Sequence, residues 1–150
     1  MYNDTITLFN RKAGEQGDTW YPSVLHNVQL IIDMASTPAE HGTVATDGAA
    51  LSVRYIRDGV DKKVGEKLWL LPRDWQKLED PSGALTFTTG DLFDFFWAGD
   101  WGSENPVNDS AFPESGDFYS HMNSNYDNVF AVHSVKGPYG LVPHFEIVGK

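Results

Sequence analysis

Residues 129–135, VFAVHSV, carry the clearest strand signal of the sequence, a short run rich in β-branched and aromatic side chains. The next five residues, KGPYG at 136–140, are a strong turn signal, and residues 141–148 predict a last strand. Together they predict a β-hairpin. Similar apolar runs recur along the chain, separated by turn residues at intervals of about ten residues, which is typical of barrels and sandwiches.

Working outward, alternation of apolar and polar residues predicts several further strands. They cover residues 6–9, 20–25, 28–32, 51–55, 68–71, 85–89 and 92–97. We expect the first three to form a β-meander whose hydrophobic face includes Leu8, Trp20, Val24, Leu30 and Ile32. The strands at 85–89 and 92–97 are predicted to be the two arms of one hairpin, turned at Gly90-Asp91.

Pro72 predicts the start of one short helix, and Pro81 should end it. Residues 118–126 are compatible with a single helical turn. Two stretches without periodicity, at 33–50 and 99–117, predict long loop arms. The expected architecture is therefore one all-β domain over residues 1–150, a small β-barrel or sandwich of about eight short strands with one short helix and two long loops.

The composition excludes several classes of protein. The 150 residues contain no cysteine, so disulfides, thiolate zinc sites and thiol nucleophiles are absent. With 21 acidic and 11 basic side chains the net charge is −10, which disfavours a protein that coats DNA. The polar, acidic start at residues 1–4 does not resemble a secretory signal, and no apolar run approaches the roughly 20 residues of a membrane helix. We expect a soluble protein that is used without export and has no membrane partner.

Motifs for catalysis, cofactors and metals are missing. No two of the five histidines have helical ligand spacing, and only His133 and His144, on the arms of a predicted hairpin, are expected to lie close together. Nucleophile elbows and phosphate-binding loops are absent. We therefore expect no enzyme, no cofactor and no catalytic or metal-binding residue.

Acidic side chains are frequent between residues 91 and 117. Two of them near aromatic rings could form a glycosidase pair, but turn formation and solvation are the favoured interpretation. Asp94, inside an aromatic run, is expected on the outer face or at the rim of the sheet. The acids in question are Asp91, Asp94, Asp100, Asp109, Glu114 and Asp117.

Aromatic side chains are concentrated in the same region. They could form a platform for stacking sugars, a core or a protein interface. Because the strand offers rings to both faces of a sheet, we expect one face to be core and the other to be covered by a neighbouring subunit. The rings are Phe93, Phe95, Phe96, Trp97, Trp101, Phe112, Phe118 and Tyr119.

Several segments, spread in order over most of the chain, resemble head-closure proteins, the minor capsid proteins of the neck in long-tailed phages of Gram-positive bacteria. They are MYNDTITLFN at 1–10, WYPSVL at 20–25 followed by Asn27-Val28, LPRDW at 71–75, residues 87–91, and PHFEIVGK at 143–150. In that family an opening hairpin, a Gly-Asp turn and a terminal strand build a small barrel.

The resemblance implies a structural function. The chain would form a homo-oligomer, a hexameric ring below the portal or adaptor protein, and would close the DNA channel and dock the tail-terminator or tail tube. It would assemble in the host cytoplasm, reside in the virion neck, and let genomic DNA pass without sequence-specific binding. Interface or channel candidates are Asp47, Trp97, Trp101, Phe112, Phe118 and Tyr119.

Other functions stay open on the sequence. The chain could be a tail-terminator, adaptor or decoration protein of the virion. From a different class, a carbohydrate-binding module could use Trp97, Trp101 and Tyr119 as its platform. An acid-base glycosidase ranks below both, because it needs two carboxylates in a cleft.

Overall fold

The structure is a computed structural model that describes residues 2–33, 36–39, 42–45 and 48–150. Its strands are β1 (Asp4–Lys12), β2 (Thr19–Asp33), β3 (Ser36–Ala39), β4 (Gly42–Ala45), β5 (Gly48–Arg54), β6 (Ile56–Asp58), β7 (Asp61–Val64), β8 (Lys67–Trp69), β9 (Ala84–Leu85), β10 (Phe95–Trp97), β11 (Val107–Asn108), β12 (Val129–Tyr139) and β13 (His144–Gly149). The α-helices of this described part are α1 (Pro72–Gln76) and α2 (Phe118–Asn125). Short 3-10 helices lie at Pro81–Gly83, Gly90–Leu92 and Asp109–Ala111.

Six antiparallel strands close into a barrel, in the order β1-β10-β12-β13-β5-β2, and β2 returns to pair with β1. β11 adds a seventh strand beside the start of β2. The small sheet β6-β7-β8-β9 follows β5 along the chain, and β3 pairs with β4 as a separate hairpin. The predicted all-β class with a small barrel is confirmed.

A single bent strand replaces two of the predicted ones. β2 runs without a break for 15 residues, so the predicted β-meander over residues 6–32 is wrong. A bulge lies between the pairs Asp4↔Val28 and Ile6↔Leu25, and Asn27 there has a φ of 57°. Asparagine tolerates this left-handed conformation, and a bulge bends a strand. The bend lets β2 pair first with β1 and then with β5.

The bulge also changes which residues of β2 reach the core. Leu25 and Val28 are both buried in the barrel although they are three residues apart, because the extra residue shifts the alternation by one. Val24, predicted on the hydrophobic face, is only partly buried. Leu30 and Ile32 pack against the barrel core as partly buried side chains.

The predicted hairpin of residues 85–89 and 92–97 is wrong. β9 ends at Leu85 and pairs in parallel with β8, whereas β10 pairs with β1 and β12. The chain between them closes a loop, in which the Asp94 N–H donates to the Thr88 carbonyl over 2.9 Å. The side chain of Asp94 also accepts the Thr88 N–H. These two hydrogen bonds join the ends of the 88–94 loop, which stands where a β-turn between two paired strands was predicted.

Both predicted loop arms contain regular structure. Residues 33–50 include the end of β2, the strands β3 and β4 and the start of β5, and residues 99–117 include β11 and a 3-10 helix. The ambiguous stretch at 118–126 forms α2, so the described part has two α-helices where one was expected. The predicted turn at 136–140 belongs mostly to β12, which continues to Tyr139. No helix in the described part is long and apolar enough to span a membrane.

Candidate functional site

Two hydrophobic cores lie on opposite faces of the same strands. Phe96 points into the barrel, whereas its neighbour Phe95 points outward, as alternation along a strand requires. On the outward side, Phe95 packs with Phe9, Trp20 and Phe118 in a second core. Residues 99–126, which hold α2 and which we call the aromatic cover, lie over this core. On the face for which the sequence predicted a subunit contact, the chain itself thus supplies a cover.

The sequence-predicted interface residues belong to this second core. Phe118 is completely buried, and Trp97, Trp101, Phe112 and Tyr119 are partly buried against it. Phe118 is thus unavailable to a partner while the cover is in place. Asp47, the remaining candidate, lies outside the described residues.

The ring planes do not form a flat surface. Trp97 and Trp101 stand at 89° to each other with centroids 6.0 Å apart. Tyr119 packs edge-on against Phe93 at 4.9 Å. Edge-to-face packing is typical of cores, whereas sugar stacking needs exposed ring faces.

Two of the acids predicted to be solvated hold the aromatic cover in place. Oδ1 of Asp109 accepts the Trp20 Nε1–H at 2.7 Å and the Phe118 N–H at 2.9 Å. Asp117 caps α2 by accepting the Ser120 N–H at 2.7 Å. Asp91, Asp100 and Glu114 are exposed, as expected.

Asp94 is completely buried, so its predicted place on the outer face or rim is wrong. Its carboxylate accepts three N–H groups, from the backbone of Arg11 at 2.8 Å, the backbone of Thr88 at 2.7 Å and Nδ2 of Asn10 at 2.9 Å. Burial raises the pKa of Asp94 to about 7, while these hydrogen bonds oppose the rise. One side chain therefore links β1 to the loop that precedes β10.

Arg11 extends this link to Trp20 of the second core. Its guanidinium carbon lies 4.4 Å from the ring centroids of both Trp20 and Phe93, a double cation–π contact. Nη1 of Arg11 also donates to the Asp91 carbonyl at 3.2 Å and lies 3.8 Å from Oδ2 of Asp18. Arg11 and Asp94 together join the barrel, the second core and the 88–94 loop.

The raised pKa of Asp94 makes stability depend on pH. Between the usual carboxyl pKa of about 4 and the folded value of about 7, the folded protein keeps a proton that the unfolded chain releases. We therefore expect the free energy of unfolding to fall as pH rises from 5 to 7.5. Urea titrations at pH 5.0 and 7.5 should show this fall in the wild type and a clearly smaller one in Asp94→Asn. An equal fall in both proteins would contradict the assignment to Asp94.

The histidines do not form a metal site in the described part of the chain, where no cluster of three metal-ligating side chains occurs. His133 lies across from the Val148 end of β13, whereas His144 pairs with Tyr139 at the other end. The two rings are therefore roughly 20 Å apart along the hairpin, and their predicted proximity is wrong. His144 instead contacts Glu146, with Nε2 and Oε1 3.2 Å apart.

A groove of about 530 Å³ lies beside β2, and no pattern in the sequence indicated it. Its walls are the bulged part of β2, the end of β5, the turn between β7 and β8, residues 82–83, and Glu104. Lys67 crosses one end, with Nζ 2.7 Å from Ser23 Oγ and 2.9 Å from Glu104 Oε1. The groove depends on where distant strands separate, which no local pattern reports.

These features define a class of protein, a small closed β-barrel domain with a second, self-covered aromatic core. The chain belongs to the family described as "Family of unknown function (DUF6751)", whose model matches residues 1–150. Neither the curated proteins nor the solved structures contain a significant match.

Proposed function

We propose that the protein is a structural, non-enzymatic component of the phage head–tail connector. In this proposal it forms a ring below the portal or adaptor, closes the DNA channel and presents the docking surface for the tail. The sequence resemblance to head-closure proteins supports the proposal, and a small closed β-barrel is the fold which that resemblance implies. The protein would be found in the virion neck.

One observation carries the proposal, namely a hairpin that leaves the barrel between two neighbouring strands. β2 and β5 are paired up to Asp33↔Gly48, and between them in the sequence β3 pairs with β4 in a hairpin, which we call the arm. Among the described residues the arm pairs with no strand of the barrel. A closed barrel with a separately paired hairpin suits a subunit whose task is to contact neighbours in an assembly.

Charge supports the same function. Residues 99–117 contain five acids and no lysine or arginine, and residues 33–47, which include Asp47, contain three acids and no such cation. Asp100 and Glu114 are exposed. Acidic surfaces that line a channel repel DNA phosphates, so a duplex would slide past them without binding.

We expect charge reversal at these exposed acids to slow DNA ejection. Asp100→Lys with Glu114→Lys would place cations where the proposal puts acidic channel walls, and each phosphate contact adds attraction. Ejection kinetics from phage particles carrying this variant should be slower, more so at low salt. Glu79→Lys, an exposed acid outside both acidic segments, is the matched control. Wild-type kinetics in the double variant would count against a channel position.

Quantitative mass spectrometry of purified particles tests the proposal directly, with the major capsid protein as internal standard. A low copy number that fits one ring supports the neck assignment. A copy number that scales with the capsid would mean a decoration protein, and absence from particles would overturn the proposal. In that last case a glycan screen would test the carbohydrate-binding alternative, which the perpendicular packing of Trp97 and Trp101 does not favour.

A further inference from the structure

The turn between β12 and β13, residues 140–143, which we call the tip, presents two neighbouring apolar side chains to solvent. Leu141 is 99% exposed, and Val142 beside it is exposed as well. Val60, in the turn between β6 and β7, is 94% exposed. Single exposed apolar residues are common, whereas a group of them marks a surface that another molecule covers.

Hydrogen bonds anchor the tip to the chain that follows β5. The Tyr55 hydroxyl donates to the Tyr139 carbonyl at 2.6 Å, and the Tyr55 N–H donates to the Pro143 carbonyl at 3.3 Å. Nη2 of Arg57 donates to the Gly140 carbonyl at 2.7 Å. Both ends of the tip are thus held, and its two apolar side chains are displayed on an anchored turn.

The face of the β6–β7 hairpin that meets the tip carries two cations. Arg57 and Lys62 are cross-strand partners, so their side chains lie on the same face, the one from which Arg57 reaches the tip. Asp58 and Asp61 alternate to the opposite face, where Oδ2 of Asp58 lies 3.2 Å from Nζ of Lys63. The tip is therefore apolar with positive charge beside it.

The outer surface of the aromatic cover has the complementary character. The His121 ring lies between two others, with its centroid 4.5 Å from that of Phe112 and 6.5 Å from that of Tyr126. None of the three rings is fully buried, and Asp127, which follows Tyr126, is exposed. Residues 99–127 contain six acids and no lysine or arginine. We call Phe112, His121, Tyr126 and Asp127 the acidic ring row.

The tip and the acidic ring row lie at opposite ends of β12. The row ends at Asp127, just before β12 begins at Val129, and the tip follows the last residue of β12, Tyr139. Within one chain Leu141 and Tyr126 both remain exposed. Because the tip is anchored to its own barrel, a contact between these two surfaces requires two molecules.

Charge selects which surfaces of two copies can meet. Two tips facing each other would oppose the cations Arg57 and Lys62 of both copies, and two rows would oppose their Asp127 carboxylates. Tip against row instead brings cations to an acid and aliphatic side chains to ring faces. A second copy of this chain is thus a partner that complements the tip in both respects.

We infer that the tip of one copy docks on the acidic ring row of the next copy. The two surfaces differ, so the contact is heterologous and generates a ring if the rotation between copies closes. This inference rests on the proposed ring and supplies its subunit contact. Asp127 lies outside both acidic segments of the proposed channel, so Asp100 and Glu114 stay available to the DNA.

Because the chain has no cysteine, disulfide crosslinking tests the contact without background. Full-length Leu141→Cys protein is mixed with Ser124→Cys protein and oxidised, and the mixed disulfide is quantified by mass spectrometry of its peptides. Ser124 is exposed and lies one helical turn after His121. In the control mixture Lys77→Cys, exposed beside α1, replaces Ser124→Cys. We expect about tenfold more mixed disulfide in the first mixture. Equal yields would overturn the inference.

Sedimentation measures the apolar part of the contact. Leu141→Ser should weaken self-association about tenfold and leave the fold intact, because the side chain is exposed in the single chain. Leu71→Ser is the matched control, since Leu71 is also exposed but lies at the start of α1. This variant should associate like the wild type. A wild-type protein that stays monomeric, or a Leu141→Ser variant that associates like it, would contradict the docking.

Charge exchange provides a readout that a purely structural role would not give. Lys62→Glu and Asp127→Lys should each weaken self-association about tenfold, and the two changes in one chain should restore it, since tip and row then carry exchanged charges. Arg73→Glu, at an exposed position of α1, changes the net charge as much as Lys62→Glu and should have little effect. Failure of the double variant to recover would also overturn the inference.

The outcomes separate this inference from the proposed function. Crosslinks between tip and row with no protein in phage particles would keep the subunit contact and reject the neck assignment. A ring-like copy number in particles without the Leu141–Ser124 crosslink would do the reverse.

Discussion

Replacing Asp94 by alanine should lower the free energy of unfolding by about 3 kcal/mol at pH 6. The substitution removes the acceptor of three N–H donors, those of Arg11, Thr88 and Asn10, in a completely buried place. Each unpaired buried donor costs about 1 kcal/mol or more. Urea denaturation followed by circular dichroism measures the loss.

Two further variants make the result specific to the buried acceptor. Asp91→Ala removes an exposed carboxylate three residues away and leaves its backbone carbonyl for Arg11, so its effect should stay within about 0.5 kcal/mol. Asp94→Asn keeps one acceptor oxygen and should lose less than the alanine variant. If Asp94→Ala were no less stable than Asp91→Ala, the buried network would have no role in stability.

Truncating Phe118 to alanine should cost about 3–5 kcal/mol and open the aromatic cover. The Phe118 ring is completely buried, and its centroid lies 5.1 Å from that of Phe112, 5.2 Å from that of Phe9 and 5.8 Å from that of Trp101. Removing the ring leaves a cavity that joins the cover to the barrel face. Because the barrel has its own core, we expect the loss to fall first on residues 99–126.

Hydrogen exchange resolves the two parts of the molecule. In Phe118→Ala, amides of α2 should exchange faster, while those of β12 and β13 keep their protection. Tyr126→Ala is the matched control. The Tyr126 ring also packs on an aromatic residue, with its centroid 5.4 Å from that of Trp97, but its side chain is 38% exposed, so its removal should leave no buried cavity. Uniformly faster exchange over the whole chain would mean that barrel and cover unfold as one unit.

Local patterns predicted the fold class because strand alternation is a property of neighbouring residues. The alternating residues 6–9 and the β-branched and aromatic run at 129–135 both lie in strands, and Pro72 does begin a helix. Pairing was harder. Leu85 and Phe95 lie close in sequence, yet their strands pair with different partners, since the loop closed by Asp94 replaces the expected turn.

The candidate site was also only partly predictable from local sequence patterns. The aromatic residues were recognised, but whether a ring such as Phe118 meets solvent depends on the helix that carries it. Asp94 was misplaced because nothing adjacent in sequence reveals Asn10 and the Arg11 amide as its partners, more than 80 residues away. The groove depends on where β2 parts from β5, a feature of tertiary structure alone.

The position of β13 in the barrel has a consequence for synthesis on the ribosome. β13 lies between β12 and β5, so an edge of each stays open until residues 144–149 have emerged. β5 is then made some 90 residues before the partner that completes the circle. During that interval the nascent chain exposes unpaired strand edges, which are the surfaces where two chains can pair with each other.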